Sequence, residues 1–343
     1  MSPAEPPLRF GVVGYGFGQF HVRTLAAMPD VNLAAVADRR SDSLPAAAAE
    51  YGFTPYRDAL EMIAKENLDA VVIAIPPKPR RELLTAAVEQ NLALFVEKPW
   101  ASHAAHAREL ADICRRSAAP VMAGFSFRYH PALVKLKSLL AGDLGPPRML
   151  QGQYVFGWLP PRDGWAWDPT NGNGFINENS CHLFDAVCHL MGRPTRVSAE
   201  GGRFTGKPME DAVTVTLRFQ NDTIAALTCG GIGHDAFTDY PRIELFAEHG
   251  QAQLTGEQHA WRSLKWATHQ HPTPQHLDAP PTLDQQTAYT PALEHFVRCI
   301  REGATPSATL RDAILSVDLA MAVAESARSG QPVALEAVDP AAG

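Results

Sequence analysis

The chain has 343 residues, of which 45% are apolar and 20% are charged. This length exceeds what one hydrophobic core comfortably supports, and the composition excludes a disordered protein, so we expect a globular chain of two domains. A net charge of −7, a pI near 6.0 and the lack of any Lys/Arg cluster argue against a nucleic acid partner, and no apolar run reaches the roughly 18 residues that a membrane span requires.

The first predicted elements are a strand, a glycine-rich turn and a helix. Residues 10–13 form the strand, Gly14-Tyr15-Gly16-Phe17-Gly18 forms the turn, and a second strand at 33–37 ends at Asp38. In dinucleotide-binding folds such glycines let the backbone approach a pyrophosphate at a helix N-terminus, and the acid accepts hydrogen bonds from the adenosine ribose. The third glycine of the usual G-x-G-x-x-G would fall at position 19, where this chain has Gln19. A glycine turn that serves packing alone is the alternative.

The residues that follow the acid bear on which cofactor binds. A carboxylate at Asp38 favours the free 2′-hydroxyl of NAD, whereas an arginine beside it can pair with the 2′-phosphate of NADP. Arg39 and Arg40 come directly after Asp38. We therefore expect NAD, with NADP possible, and with solvated surface arginines as the alternative interpretation of this pair.

Helix and strand patterns continue to alternate up to residue 125. Strands are predicted at 70–75, 92–96 and 120–125, and helices at 43–51, 58–67, 80–91 and after Ser102, which has the side chain of an N-cap. Apolar strands separated by helices are typical of a parallel sheet covered on both faces. Residues 1–124 are therefore predicted to form an α/β Rossmann domain.

The strand at 92–96 runs directly into Glu97-Lys98-Pro99. A buried strand that stops at a lysine beside a bound pyridine nucleotide would hold a cationic proton donor against the reacting carbon. Together with the glycine turn, this motif indicates an oxidoreductase.

From about residue 148 the pattern changes to strands with one exposed face. Val213, Val215 and Leu217 alternate with polar residues, and Asn221-Asp222 supplies a turn before the next strand at 223–229. Further strands are predicted at 148–156, 242–247 and 251–254, whereas 255–291 is predicted to be a long connection. Residues 125–343 are therefore predicted to form an α+β domain with a large, open, mostly antiparallel sheet.

A stripe of titratable side chains lies between the two regions. If residues 178–191 are helical, Glu178, His182, Asp185 and His189 fall within roughly 60° of one another. A solvated helix face, a metal site and an acid/base site each fit such a stripe, and we expect no metal. His189, at the far end, is expected to be a structural histidine.

Aromatic and amide side chains are concentrated before this helix. Rings that stack on the apolar faces of a sugar, with amides that bond its hydroxyls, would make a polyol pocket, although any single tryptophan here can equally belong to the core. The residues of this group are Tyr154, Trp158, Trp165, Trp167, Asn171, Asn173 and Asn177.

Several motifs, taken in order along the chain, carry a family resemblance. They are the glycine turn ending at His21, Ala74-Ile75-Pro76-Pro77, Glu97-Lys98-Pro99, and the segments 124–131, 174–185, 293–297 and 326–333. In these motifs, and over nearly its whole length, the chain resembles the Gfo/Idh/MocA family of oxidoreductases, named for glucose–fructose oxidoreductase and inositol dehydrogenase. Four features depart from the family pattern: Glu178 replaces an aspartate, Ser180 replaces a common glycine, Arg80 replaces a common histidine, and the glycine turn is shortened.

The resemblance implies a dehydrogenase that transfers a hydride between a sugar or cyclic polyol and NAD(P). Lys98, Glu178 and His182 would be catalytic, with His182 as the base, Glu178 orienting the imidazole or bonding the substrate, and Lys98 polarising the oxygen. The implied cofactor-binding residues are Gly14, Tyr15, Gly16, Phe17, Gly18, Asp38, Arg39, Ile75, Pro76, Glu97 and Lys98. The implied substrate-binding residues are Lys98, Arg128, Tyr154, Trp165, Asn177, Glu178 and His182. For Arg128, an anchor at the joint between the domains is the alternative.

Two other functions fit the same motifs. NAD-assisted glycoside cleavage, through transient oxidation of a sugar hydroxyl, would proceed without net release of NADH. A nucleotide-dependent sensor would keep the cofactor as a ligand only, although such a protein has no need of a proton relay. The resemblance also implies that residues 125–343 bind substrate and support oligomerisation, as a homodimer or homotetramer. The face of the open sheet should be apolar if it is buried between subunits.

Cysteine usage and the N-terminal residues bear on the compartment. Residues 1–8 lack the basic and apolar segments of a signal peptide, so we expect a cytoplasmic protein with no membrane partner. The cysteines have no C-x-x-C spacing and are expected to be reduced. They are Cys114, Cys181, Cys188, Cys229 and Cys299.

Overall fold

The computed structural model describes residues 5–280, 282–283 and 287–336, and its first unit is a parallel sheet. The sheet has six strands: β1 (Leu8–Val13), β2 (Val31–Ala37), β3 (Thr54–Tyr56), β4 (Ala70–Ile73), β5 (Ala93–Val96) and β6 (Val121–Ala123). They lie in the order β3-β2-β1-β4-β5-β6, the order of the doubly wound dinucleotide-binding fold. Because the order reverses between β1 and β4, the carboxyl ends of these strands leave a crevice for a ligand. The α/β fold predicted for the first third of the chain is confirmed.

Five helices connect these strands: α1 (Gln19–Ala27), α2 (Leu44–Tyr51), α3 (Ala59–Lys65), α4 (Arg80–Glu89) and α5 (Ala104–Cys114). The N-cap predicted for α5 is wrong by one residue, because Nδ1 of His103, and not the hydroxyl of Ser102, accepts a hydrogen bond of 3.2 Å from the His106 amide. The sequence pattern does not predict β3, since three residues are too few to show alternation.

The second sheet has nine strands and is mostly antiparallel. They are β7 (Pro147–Val155), β8 (Pro194–Gly202), β9 (Ala212–Phe219), β10 (Ile224–Gly230), β11 (Arg242–Ala247), β12 (Gly250–Glu257), β13 (Ala260–Thr268), β14 (Gln275–Asp278) and β15 (Val333–Ala334). Their order is β14-β13-β12-β11-β7-β10-β9-β8-β15, and only the β7–β10 pair among them is parallel. The open, mostly antiparallel sheet predicted for the second region is confirmed.

The prediction of a long connection at 255–291 is wrong, because β13 and β14 lie within it. The strand signal is hidden by an irregularity in the β12–β13 pairing, where Thr255 pairs with Ser263 but Gly256 pairs with Trp261. This shift buries Trp261 out of phase with Leu264 and Trp266, which breaks the alternation of apolar residues.

Helices cover one face of the second sheet and leave the other open. The remaining helices are α6 (Pro131–Leu140), α7 (Gly174–Glu178), α8 (Cys181–Met191), α9 (Thr290–Glu302) and α10 (Leu310–Ser329). All of these except α9 pack against the sheet, where they bury its apolar side chains. The open face carries polar residues such as Gln153, Thr214 and Thr216, which differs from the apolar surface expected of a face buried between subunits.

The two C-terminal helices connect the two hydrophobic cores. Phe296 of α9 lies in the core of the first sheet, where it packs edge-on against Phe10 with 6.1 Å between ring centroids. α10 reaches both cores, because Val317 is buried in the first and Val323 in the second. Residues near the C-terminus therefore complete the N-terminal core, and the division of the chain at residue 124 stays a prediction.

All five cysteines are buried and free. Within the described ranges, no helix is both long enough and apolar enough to cross a lipid bilayer.

Candidate active site

The glycine turn between β1 and α1 is shaped by close contacts. Gly14 has a φ of +93°, and a Cβ built there would lie 2.6 Å from the carbonyl oxygen of Ala74. Gly18 lies so close to the carbonyl oxygen of Gly14 that no Cβ fits, whereas a Cβ on Gly16 would meet nothing within 4 Å. Gly18 therefore takes the close-packing role that the usual motif gives to a glycine one residue later. Gly16 leaves open the backbone surface that a diphosphate needs.

The carboxylate of Asp38 is bonded by backbone amides beside this turn. Its Oδ2 accepts from the Tyr15 N–H at 2.7 Å, and its Oδ1 accepts from the N–H groups of Arg40 and Ser41 at 2.8 Å each. Burial alone would raise the pKa of Asp38, but these hydrogen bonds lower it below its ordinary value, so the group is ionised. One lone pair of Oδ2 is left for a ribose hydroxyl.

A cavity of about 490 Å³ opens next to Asp38 and fits an adenosine ribose. Tyr15, Gly16 and Gln19 line it on the side of the turn, and Arg40 lines it on the side of the loop after β2. Arg39, which was predicted to touch the cofactor, is exposed and does not line this cavity. Of the two arginines that follow Asp38, Arg40 is therefore the one beside this cavity.

A second cavity, of about 500 Å³, shares the glycine turn with the first, since Phe17 lines its wall. Lys98, Glu178 and His182 also line it, from the loop after β5, the end of α7 and the first turn of α8 respectively. The three residues predicted to be catalytic thus lie around one space. Other side chains on this wall include Phe127, Tyr154, Trp158, Asp235, His259 and Tyr289.

The helix predicted over 178–191 is broken near its start. α7 ends at Glu178 and α8 begins at Cys181, with Asn179 and Ser180 between them. The break divides the predicted stripe, because Glu178 and His182 line the cavity whereas Asp185 pairs with a buried arginine outside it. The interpretation of one continuous acid/base face is therefore wrong. Two separate clusters replace it.

Lys98 and Glu178 form an ion pair across the joint between the two sheets. The Lys98 Nζ donates to Oε1 of Glu178 at 3.0 Å and to the Glu178 carbonyl at 3.3 Å. Burial by itself would lower the pKa of Lys98, but Glu178 and neighbouring acidic groups raise it above its ordinary value, so the amine is an ammonium. Its third N–H has no acceptor among the described residues and is available to a molecule in the cavity.

His182 is a neutral imidazole held by ring stacking. Its ring lies on Phe127 with 4.6 Å between centroids and 24° between planes. Burial, with a further contribution from the Lys98 charge, lowers the pKa of His182 well below its ordinary value. No described residue bonds its Nδ1. An unprotonated, oriented histidine beside an ammonium is suited to accept a proton from a substrate hydroxyl.

Two buried residues hold the backbone around Lys98. Oε2 of Glu97 accepts from the Lys98 N–H at 3.1 Å, while its Oε1 lies 2.7 Å from Nε2 of His21. The guanidinium of Arg80 donates to the carbonyls of Ile75, Pro99 and Trp100 at 2.6–3.0 Å. Arg80 therefore ties the end of β4, where the predicted cofactor contacts Ile75 and Pro76 lie, to the loop that follows Lys98.

Three residues predicted to bind substrate lie outside the cavity. Arg128 donates to both oxygens of Asp185 and to Asp312, so it takes the alternative role of an anchor. The amide of Asn177 donates to the carbonyls of Ala101 and Gly172. Trp165 lies in a short 3-10 helix, Trp165–Trp167, and does not line the cavity, whereas Trp158 does.

Other cavity residues carry too little signal in the sequence to be predicted. Phe127 and Tyr289 come from distant parts of the chain. For Phe127, the sequence signal is limited to the aromatic content of the 124–131 motif. His259 lies in the turn between β12 and β13, inside the segment predicted to be a connection. Among the described residues no group of three His, Cys, Asp or Glu side chains could hold a metal ion.

A dinucleotide-binding fold whose glycine turn opens on a cavity with an ammonium, a carboxylate and a neutral imidazole defines the class of nicotinamide-dependent oxidoreductases. Two family models match the chain and together cover more than half of it. The first, described as the oxidoreductase family with an NAD-binding Rossmann fold, matches residues 8–125, and the second, the GFO/IDH/MocA C-terminal domain, matches residues 133–253. The chain belongs to the Gfo/Idh/MocA family of oxidoreductases.

Individual relatives extend over almost the whole chain. D-apiose dehydrogenase of Paraburkholderia graminis is 26% identical and covers 96% of this chain and 90% of its own. The scyllo-inositol 2-dehydrogenase (NAD(+)) of Bacillus subtilis is also 26% identical, with 97% of both chains covered. A solved structure of levoglucosan dehydrogenase in complex with NADH and L-sorbose has a TM-score of 0.87 at 19% identity, and covers 97% of this chain and 100% of that one.

Proposed function

We propose that this protein is an NAD(P)-dependent dehydrogenase that transfers a hydride between a carbinol carbon of a sugar or cyclic polyol and nicotinamide. The observation that carries the proposal is the presence of Lys98, Glu178 and His182 around one cavity at the edge of the glycine turn. The relatives named for apiose and scyllo-inositol support the substrate class. Both compounds carry secondary hydroxyls and no charge.

In the oxidative direction the carbinol C–H leaves as a hydride and the hydroxyl proton leaves to a base, so that a carbonyl forms. When bound, the nicotinamide supplies the hydride acceptor. His182 takes the hydroxyl proton, which its neutral state allows, and a base of this kind contributes roughly 10² to 10⁴ in rate. The Lys98 ammonium stabilises the developing negative charge on the oxygen, and Glu178 holds the ammonium in place.

The residues around the first cavity are proposed to hold the nucleotide. Gly14, Gly16 and Gly18 would admit the diphosphate, and Asp38 would accept from the ribose. The ionised carboxylate of Asp38 favours NAD, whereas Arg40, which lines the same cavity, would also allow NADP to bind. Phe17 follows Gly16 in the glycine turn, and its ring centroid is 5.7 Å from the Lys98 Nζ, so this ring would contact the nicotinamide half of the cofactor.

The charge of the second cavity favours an uncharged substrate. Within the described residues, Lys98 is its one Lys or Arg side chain, and Glu178 already pairs with it. Asp235 adds a negative charge to the wall. A sugar acid or sugar phosphate would therefore find no unpaired cation there, whereas Trp158, which is 55% exposed, offers aromatic surface to a sugar ring. A homo-oligomer and a cytoplasmic location stay predictions.

A direct test combines nucleotide identification with a substrate screen. The purified protein is denatured, any released nucleotide is identified by mass, and the protein is then assayed with NAD⁺ and NADP⁺ against scyllo-inositol, myo-inositol, D-xylose and D-apiose. We expect reduced nicotinamide to accumulate with at least one of these compounds. Failure of all four with both cofactors would contradict the proposal, and cleavage of a glycoside without net NADH would replace it with the hydrolytic function.

A further inference from the structure

The tip of the β12–β13 hairpin has a strained backbone. Its two residues, Gln258 and His259, have φ values of +44° and +71°. A two-residue hairpin turn with both φ values positive normally uses Asn-Gly, because other side chains are strained in the left-handed region. Strain of this kind persists where the surrounding structure maintains it, and it is concentrated at functional sites. Both side chains line the cavity that contains Lys98 and His182.

Aromatic rings fix the orientation of the His259 imidazole. Tyr154, Phe156 and Tyr240 each meet it nearly edge-on, with ring centroids 5.6, 5.0 and 5.1 Å away. The hydroxyl of Tyr154 is hydrogen-bonded to Nδ1 of His259. The imidazole is therefore held both by packing and by a directional bond, as a residue that must present one particular atom requires.

The protonation states of Tyr154 and His259 determine which nitrogen of the imidazole carries its hydrogen. Burial raises the pKa of Tyr154 well above its ordinary value, so the phenol keeps its proton, and burial, with the Lys98 charge, lowers the pKa of His259 to about 4, so the imidazole is neutral. No described residue other than His259 accepts the phenol proton. Tyr154 therefore donates to Nδ1, and the single N–H of the imidazole is on Nε2. Among the described residues, nothing accepts from it.

Tyr154 contacts both histidines of this cavity. Its ring also meets His182 edge-on, with centroids 6.3 Å apart. His182 and His259 therefore belong to different parts of one wall. A donor on His259 would reach a different oxygen of the substrate from the one that Lys98 and His182 act on.

We propose that His259 is a substrate-binding residue, whose Nε2–H donates to a hydroxyl oxygen of the sugar or polyol on a carbon that is not oxidised, with Tyr154 as the residue that positions it. This role rests on the dehydrogenase function proposed above. It assigns specificity to the hairpin tip, because a compound without an oxygen at that place would leave the donor unpaired.

Two amide substitutions at position 259 separate this role from simple packing. The carboxamide of His259→Asn falls near Nδ1 and keeps a contact with Tyr154, but it removes the distal donor, whereas the carboxamide of His259→Gln reaches the position of Nε2. Asparagine also tolerates the left-handed backbone. We expect His259→Asn to raise KM roughly tenfold, with kcat within about twofold, because one hydrogen bond to substrate is lost. His259→Gln should stay within about threefold of the wild-type KM.

Four kinds of measurement make the experiment decisive. KM and kcat are determined with the most active of scyllo-inositol, myo-inositol, D-xylose and D-apiose. Calorimetry measures the binding of that compound to the protein with reduced nicotinamide. Nucleotide affinity and unfolding temperature show whether each variant is folded. A Tyr154→Phe variant should also raise KM, by less than His259→Asn does. If His259→Asn matches the wild type and His259→Gln is the weaker variant, the histidine only packs on Tyr154 and the inference is wrong. If the wild type neither turns over nor binds any of the four compounds, the proposed function fails and this role fails with it.

Discussion

Two ion pairs in this protein tie the 174–191 segment to earlier parts of the chain, yet only one of the two faces a cavity. Lys98 pairs with Glu178 and Arg128 pairs with Asp185, so in each case a carboxylate of the 174–191 segment meets a cation from an earlier part of the chain. The side chains of the first pair are 8% and 11% exposed, and those of the second are 3% and 1% exposed. The two carboxylates are only seven positions apart, but the break between α7 and α8 turns them in different directions.

The two pairs differ in whether the cation keeps a hydrogen-bond donor that is free for a substrate. Within the described part of the chain, the Lys98 ammonium donates only to the carboxylate and the carbonyl of Glu178, so its third N–H is available to a molecule in the cavity. The guanidinium of Arg128 makes bonds to Asp185, Asp312 and the Ser307 carbonyl, so it is occupied on all sides. A cation with a spare donor at a cavity can act on a substrate, whereas one with a complete set of buried partners holds elements together.

The largest effect that we expect is a loss of turnover when the Lys98 charge is removed. Lys98→Met keeps the length of the side chain but removes the charge beside the reacting oxygen, so turnover should fall by roughly 10² to 10⁴. Nucleotide affinity should change little, since the glycine turn and Asp38 are untouched. Initial rates and nucleotide titrations measure both quantities. Turnover within threefold of the wild type would remove Lys98 from the proposed chemistry.

The same substitution at the second cation should act on stability instead. Arg128→Met leaves the buried Asp185 without its partner, and breaking a buried pair costs roughly 3–5 kcal/mol. Denaturant unfolding measures this loss, and turnover per folded molecule should fall less than in Lys98→Met. An unchanged free energy of unfolding, or a loss of turnover equal to that of Lys98→Met, would mean that the two pairs do not differ in the way described.

The smallest expected effect is on the pH dependence of turnover. A base must be unprotonated to accept a proton, and the pKa of His182 is lowered well below 6.5, so kcat/KM for polyol oxidation should change by less than about twofold between about pH 7.5 and pH 6.5. Removing the Lys98 charge raises the pKa of His182, so the residual activity of Lys98→Met should decline at a higher pH than that of the wild type. Coincident acid limbs in the two proteins would show that Lys98 does not act on His182.

Much of the fold follows from local patterns. The strands of the first sheet are short apolar runs bounded by glycine, proline or helix signals, and the alternation of Val213, Val215 and Leu217 indicates a half-exposed strand directly. Such patterns identify which face of a strand is buried. They do not identify its neighbours, so the parallel β7–β10 pair and the strands hidden in 255–291 could not be predicted.

The candidate site was predictable to the extent that its residues belong to motifs. Lys98, Glu178 and His182 are named by motif, and the structure brings them together. Arg128 and Asn177 belong to equally suggestive motifs, but their hydrogen-bond partners, Asp185 and the Ala101 carbonyl, come from distant parts of the chain, so their structural use could not be read from spacing. His259 has no motif, and its position depends on the pairing of two strands.

The sequence alone determined the dinucleotide-binding turn, the alternating elements of the first sheet and the motifs that contain Lys98, Glu178 and His182. These depend on backbone freedom, residue period and side-chain chemistry within a short stretch. The tertiary structure decided which of the two carboxylates meets a lysine at a cavity and which meets a buried arginine. It did so because one irregular step between α7 and α8, and the packing of remote segments around it, determine where each side chain points.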